Sequence, residues 1–454
     1  MKAIFAVLCS LAVFANRGMG QAPAAPGLPA EFSAIVDAPK LPVLPTPAMT
    51  LDDTERIALA ENPEIHVAAR KAAMAEAHVA TTGKLDDPQL MLRNWQVPLS
   101  KPWDLNAAQN MAMLGESFTG PGKRRLQTGI AQSDATLAKH ELENVRLRVR
   151  VEARKAFFDL LLAQEEMRLH DQHVDIARQA IAAARIKYSA GKVPQQDVLK
   201  AQLAMTRLEE HIIRFERDAE LARVRLNTLL GRDPETPVRA QGDFGMGAEL
   251  PAERRLQQLA LDSRPDLLEA QAEVEKSRRE QAQAGKAYVP DFSVAGGYML
   301  MPAGSDVRNN YMFEGSVTLP WLNRRKHDAE IGESAAKATE QEAEAGAMRN
   351  AAFGQIGEAL AEARSAQRLA RMYRDSLEPQ AEAALHAAVI AYENNQADLL
   401  ELIDSQMAVI DVNLAWFQSM EDFAASMCDL ELAVGAPVNG TAQPPNAATP
   451  EEKQ

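Results

Sequence analysis

The strongest constraint on this chain is that it is written twice. Ala60-Glu61-Asn62-Pro63-Glu64-Ile65 is matched by Asp262-Ser263-Arg264-Pro265-Asp266-Leu267, Gly83-Lys84 by Gly285-Lys286, and Pro88 by Pro290. Phe118 through Lys123-Arg124 then parallels Leu319 through Arg324-Arg325. Farther on, Tyr188, Asp197, Leu199 and Gln202 fall against Tyr392, Glu401, Ile403 and Gln406, and the halves close at Gly231 and Gly435. The spacing drifts only from 201 to 204 residues over the whole length. Alanine-rich helices resemble one another by chance, but not in register across prolines and turns. Two copies of one structural unit are therefore predicted, over 49–231 and 251–437, joined by a linker at 232–250.

Each unit has the same order of elements. A short helix precedes Pro63 or Pro265 and a second helix follows, because proline is tolerated in the first turn, where its missing N–H has no partner to lose. Two strand-like segments come next. Phe292, Val294, Tyr298 and Leu300 alternate with Ser293, Ala295 and Gly297; Tyr311, Phe313, Val317 and Leu319 alternate with Glu314, Ser316 and Thr318. This period of two fits strands with one apolar and one wet face, at about 290–301 and 310–320. Equivalent but weaker segments lie at about 88–98 and 108–119. A small soluble hairpin in each half is the plainer account of the same pattern.

A long helical hairpin closes each unit, at 123–230 and 324–434. No proline occurs from Gly122 to Val193. Leu142, Val145, Val149, Ala153, Ala156, Leu160, Ala163 and Met167 recur at steps of three and four, which predicts a helix from about Lys123 to Tyr188, about 100 Å long. A turn at Ala190-Gly191-Lys192-Val193 leads to a return helix near Pro194. The second half repeats the seam with Ile356, Leu360, Ala363, Ala366, Ala370, Tyr373 and Leu377, and turns near Asn394-Asn395. Pro379 interrupts the second outgoing helix where the first half has Asp175, so a kink or break is expected there.

The ends bear on location. Lys2, the apolar run Ala3–Ala15 and small residues to Gly20 form a secretory signal at 1–20. Cys9 sits inside that run and follows Leu8, so no lipid anchor is expected. Seven prolines from Pro23 to Pro47 make 21–48 an extended arm, and 438–454 a disordered tail. No stretch reaches the length and apolarity of a transmembrane helix. With 49 basic and 63 acidic residues the net charge is −14, or −16 once Lys2 and Arg17 are removed, which argues against a nucleic-acid partner. Cys9 and Cys428 are the only cysteines, which excludes a disulfide scaffold and cysteine-based metal clusters. No nucleophile–base motif or phosphate loop is present; an enzyme and a cofactor are not expected.

Four strands do not close a barrel, and open sheet edges are not tolerated in lipid. If these strands enter a membrane, the chain oligomerises; a trimer supplies twelve strands and twelve long helical segments. The predicted fold class is mainly α with a small β part: duplicated hairpins forming an α-barrel, and four strands per protomer in a twelve-stranded transmembrane barrel.

Over roughly Met49 to Pro437 the chain resembles the TolC family of outer-membrane efflux channels. The likeness is carried by the duplicated unit, the Asn62-Pro63-Glu64 and Arg264-Pro265-Asp266 openings, Gly-Lys-Arg-Arg at 122–125, and Tyr188…Gly191…Asp197-Val198-Leu199-Lys200-Ala201-Gln202 with its copy Tyr392…Asn395…Glu401-Leu402-Ile403-Asp404-Ser405-Gln406. It implies a homotrimer in outer-membrane lipid that extends into the periplasm and docks to a periplasmic adaptor and an inner-membrane pump. Leu377-Glu378-Pro379-Gln380-Ala381-Glu382 is similar to the heavy-metal branch of the family. The resemblance also implies a periplasmic entrance lined by Tyr392, Glu401 and Asp404, and adaptor contacts at Gly191, Val193, Asn395 and Asp398. Ala397 stands where a relative carries a basic gate residue, so a salt-bridged gate is not implied.

Two weaker patterns remain. His170 and His173 are spaced for a metal but lack acidic or cysteine partners; a structural role is the simpler expectation. Met91, Met111, Met113, Met299, Met301 and Met312 cluster near the strands. Thioethers suit Cu(I), yet methionine is also ordinary filler, and lipid-facing positions are the simpler expectation. Rival readings are a periplasmic adaptor, which needs more β structure, and a coiled-coil scaffold, which needs neither export signal nor alternating strands.

Overall fold

The computed structural model describes residues 48–438 apart from 101, 192, 246–248, 395 and 398. The signal segment, the arm up to residue 47 and the tail beyond 438 lie outside the described residues. A two-residue strand β1 (Ala48–Met49) precedes helices α1 (Leu51–Glu61) and α2 (Pro63–Thr81). Strands β2 (Gln89–Trp95) and β3 (Gln109–Phe118) lead into α3 (Lys123–Ser189) and α4 (Gln195–Leu229). After β4 (Arg239–Ala240) the order recurs as α5 (Glu253–Ser263), α6 (Pro265–Ala284), β5 (Phe292–Leu300), β6 (Asn309–Val317) and α7 (Arg324–Met372). A π turn (Tyr373–Leu377), α8 (Glu378–Glu393) and α9 (Leu399–Val434) complete it. The fold is mainly α with a small β part.

The repeated openings are structural joints. Thr50 caps α1 by accepting from the Asp53 backbone N–H, and Asn62 caps α2 by accepting from Glu64 and Ile65. The Asn62 amide also donates to the Leu229 carbonyl at 2.9 Å, tying the start of the half to its end. In the second half Arg264 takes this place and donates to the Ala433 carbonyl at 2.9 Å. Both closing glycines are required by this contact. Gly231 has φ +66°, and a Cβ there would lie 2.7 Å from the Glu61 carbonyl oxygen; Gly435 has φ +82°, and its Cβ would lie 2.4 Å from the Arg264 Cα. The duplicated sequence signals thus mark one contact made twice.

The core lies along the hairpin seams. Phe157, Leu160 and Leu161 of α3 pack with Leu226, Leu230 and Ala58; Ile356 and Leu360 of α7 pack with Leu256, Phe423 and Leu430. Alanines at 153, 156, 359, 363 and 366 are buried and keep the helices close. One face of α4 is left uncovered: Leu199, Leu203, Ile213 and Leu221 fall within one stripe at helical spacing, and each is more than half exposed. Among the described residues no helix is long and apolar enough to cross a membrane.

Pro379 does not break its helix. A proline ring crowds the carbonyl four residues back, here that of Asp375. The helix widens instead, with the Glu378 N–H donating to the Tyr373 carbonyl across the π turn.

The larger sheet joins the halves in the order β2-β3-β5-β6, all antiparallel. Each outer strand pairs on one side only among the described residues. Register fixes the faces. Leu90, Leu92, Ala112, Leu114, Phe118, Phe292, Val294, Tyr298, Tyr311, Phe313 and Val317 share one face. Most of them are strongly exposed, Phe313 at 88%. The opposite face carries Gln89, Arg93, Gln109, Ser117, Ser293, Asn310, Glu314 and Ser316 together with methionines. Met91, Met111, Met113, Met299 and Met312 lie on this polar side, opposite the exposed apolar face.

Candidate functional site

The far ends of the hairpins gather the residues singled out at the turns. α3 ends at Ser189; Gly191 follows at φ +69°, its N–H donating to the Tyr188 carbonyl at 2.9 Å. A Cβ on Gly191 would meet nothing within 4 Å, so the glycine serves the backbone turn and leaves an open tip. Val193 is half-buried just before α4. Asn395 and Asp398 lie outside the described residues.

Tyr392 locks the two hairpins together near this end. It is buried with Ala184 and Ala201, with Ile181, Val198, Leu402 and Ile403 around it. The Lys187 ammonium of α3 lies 3.4 Å from the Tyr392 ring centroid and donates to the Tyr392 carbonyl at 3.1 Å. A cation held over a ring face and a carbonyl is a positioned contact rather than a loose surface charge. Burial, with Asp197 nearby, pushes the Tyr392 phenol above its ordinary pKa. Lys187 was not singled out by sequence; only the pairing of α3 with the end of α8 reveals it.

Glu401 and Asp404 stand one turn apart near the start of α9, and both are exposed. They share a helix side. Behind them, Ser405 donates to the Glu401 carbonyl at 2.8 Å. Ala397 offers no charge, and its N–H donates to the Ala391 carbonyl.

The histidines are part of the packing. His170 and His173 are buried on α3; the His170 ring meets Phe215 edge-on at 5.6 Å and His211 at 6.2 Å. Burial lowers the His170 pKa, and burial followed by the proximity of His170 pushes His173 down to about 4. Among the described residues no group of three or more His, Cys, Asp or Glu side chains is arranged to hold a metal.

The described residues of the hairpin ends thus present an open turn at Gly191 and the exposed carboxylates of Glu401 and Asp404, with Tyr392 buried between the hairpins. A model described as outer membrane efflux protein matches residues 56–232 and 256–436, which is both halves of the duplication. The chain is 23% identical over 379 residues to the cobalt-zinc-cadmium resistance protein CzcC of Cupriavidus metallidurans, covering 83% of this chain and 88% of that one. Among solved structures, the outer-membrane channel OprN superposes with a TM-score of 0.73 at 18% identity, over 85% of this chain and 90% of that one. CusC superposes with a TM-score of 0.74 at 17% identity, over 85% and 92%.

Proposed function

The chain belongs to the outer membrane efflux protein family, and from that premise we propose that three copies form one continuous conduit fed by an inner-membrane pump through a periplasmic adaptor. It is an outer-membrane efflux channel subunit, and its family is one of channel proteins. The observation that carries the trimer is the open sheet. Four strands with an exposed apolar face present an unpaired edge at β2 and another at β6, and hydrocarbon offers no hydrogen bonds to either. Pairing β6 of one copy with β2 of the next removes both edges when the ring closes, and three copies give twelve strands. The uncovered Leu199–Leu221 stripe of α4 supports the same reading, since a neighbouring hairpin would cover it.

In such a ring Glu401 and Asp404 become two stacked rings of three carboxylates at the periplasmic mouth, with Tyr392 behind them. Gathered negative charge favours cations and opposes anions. By their places in the sequence, Gly191, Val193, Asn395 and Asp398 are the contacts offered to the adaptor. Likeness to a cobalt-zinc-cadmium resistance protein supports metal cations as the cargo. In planar bilayers Glu401→Gln with Asp404→Asn is expected to reduce cation preference and relieve block by millimolar divalent cations; unchanged currents and unchanged block would remove these residues from the mouth of the pore. A deletion strain is expected to become sensitive to cobalt, zinc or cadmium. Sensitivity to organic toxicants alone would remove the metal assignment and leave the channel.

A further inference from the structure

The strand pairings bring five methionines into one patch. Met91, Met113, Gly297 and Met312 form one row across the sheet, and Arg93, Met111, Met299 and Asn310 form the next row on the same face. Directly opposed side chains in antiparallel strands stand about 4.5–5.5 Å apart at Cβ, and rows two residues apart are separated by about 7 Å. Met91 opposes Met113 and Met111 opposes Met299. Two flexible thioethers in each pair therefore reach a common point. The glycines shape the patch: a Cβ at Gly297 would lie 2.7 Å from Met113 Cγ, and one at Gly115 would lie 3.2 Å from Met91 Cε. The Gln109 amide contacts Met299 Sδ. Met111 and Met113 are buried at the centre, with Met91, Met299 and Met312 half-buried around them.

What makes this arrangement informative is segregation. Phe118, Phe292, Tyr298, Tyr311 and Phe313 all lie on the opposite, exposed face. The methionine face otherwise carries Trp95 at its end, Ala295, glycines and polar side chains, with no leucine, valine or phenylalanine among the paired residues. Apart from Trp95 at one end and Ala295, thioethers are the apolar side chains on the side that carries glutamine, serine, asparagine and arginine.

We propose that this patch is a transit site for soft monovalent cations, Cu(I) and its analogue Ag(I), held by the sulfurs of Met91, Met111, Met113, Met299 and Met312. The proposal rests on the channel reading, which turns this face toward the lumen. Thioether sulfur is a soft donor that favours Cu(I) over hard, oxygen-seeking ions. It is uncharged and releases no proton on binding, so capture here is independent of pH, unlike capture by thiolate or imidazole. A few neutral donors in a wet passage also bind weakly enough to let the ion leave, which conduction requires.

The test is equilibrium dialysis of silver nitrate against the full-length protein assembled in detergent, in chloride-free buffer. The native protein is expected to retain Ag(I), and the variant M91L/M111L/M113L/M299L/M312L to lose at least tenfold in affinity, while M74L/M348L, at methionines outside the strands, binds as the native protein does. Leucine for methionine nearly conserves volume. If the fivefold variant does not assemble, M91L/M312L, at two half-buried positions, is expected to lose at least threefold. Native protein that retains no Ag(I), or Leu variants that bind it as well as native, would overturn the site. Potassium nitrate conductance of the same preparations separates the two claims. Its absence in the native protein counts against the channel reading, whereas native conductance with unaltered Ag(I) binding in the Leu variants counts against the methionine site alone.

Discussion

Phe313→Arg is expected to empty the outer membrane of this protein, while Glu314→Arg, one residue along the same strand, leaves it in place. The two side chains are neighbours in sequence but point to opposite faces of β6. Phe313 shares its row with Leu90 and Leu114 and is 88% exposed. On a soluble sheet a residue so exposed would tolerate arginine with little cost. At the mid-depth of a membrane barrel an outward arginine costs about 2–4 kcal/mol per copy, hence about 6–12 kcal/mol in a closed ring of three. The amount recovered in the outer-membrane fraction should fall more than tenfold for Phe313→Arg and less than twofold for Glu314→Arg. Equal losses, or equal tolerance, would mean that the two faces have been assigned to the wrong environments.

Arg154→Met is the most damaging change expected in the helical part. Arg154 lies on α3 between Glu431 of α9 and Glu55 of α1, paired to the first and 3.3 Å from the second. Its side chain is 17% exposed and that of Glu431 only 9%. Burial raises the Glu431 pKa, partly offset by the guanidinium. Removing the arginine leaves Glu431 and Glu55 without their bridging cation, Arg150 acting on Glu431 only at longer range, a loss of about 3–5 kcal/mol. The sign of the pH dependence follows from proton linkage. A carboxylate whose folded pKa is raised binds more protons folded than unfolded between the two pKa values, so stability declines as pH rises through that window. Arg154→Met should therefore unfold at a temperature much closer to native at pH 5 than at pH 8, and adding Glu431→Gln should recover part of the deficit. A deficit that is the same at both pH values would show that the charge of Glu431 is not what the arginine offsets.

The architecture was legible because its signals are repeated and periodic. The Asn62-Pro63 and Arg264-Pro265 openings mark helix starts through proline's missing donor, and Gly231 and Gly435 mark the returning contact. The α3 seam is long enough for its three-and-four spacing to be unmistakable. The strands of the second half stood out because Phe292, Val294 and Tyr298, and then Tyr311, Phe313 and Val317, recur at a period of two between smaller or polar residues. Those of the first half were faint for a physical reason. Met111 and Met113 place apolar side chains on the polar face, so both faces of β3 look hydrophobic in sequence. Which strands pair was not legible at all: the β3–β5 partnership that joins the halves is a long-range contact, and it alone brings Met111 opposite Met299.

At the hairpin ends the sequence named the turn residues and the carboxylates but not Lys187, because its cation–π contact with Tyr392, 205 residues away, depends on how α3 and α8 come together. The Arg154–Glu431–Glu55 cluster was hidden for the same reason. Each of its members looks like an ordinary solvated charge on a helix. At Pro379 the sequence predicts a kink or a break, and the structure instead widens the helix just before it. The widening of the preceding turn to a π turn needs no particular residue beyond the proline itself, so nothing in the spacing announced it.

A single barrel closed through the outer strands β2 and β6 requires three copies. Native mass spectrometry of the protein extracted intact from outer membranes into detergent counts them directly. Three chains per particle, with no folded single chain remaining after detergent removal, is the result expected from a four-stranded sheet that has to close through β2 and β6 of its neighbours. A stable, detergent-free monomer that keeps its helical and strand structure would contradict it.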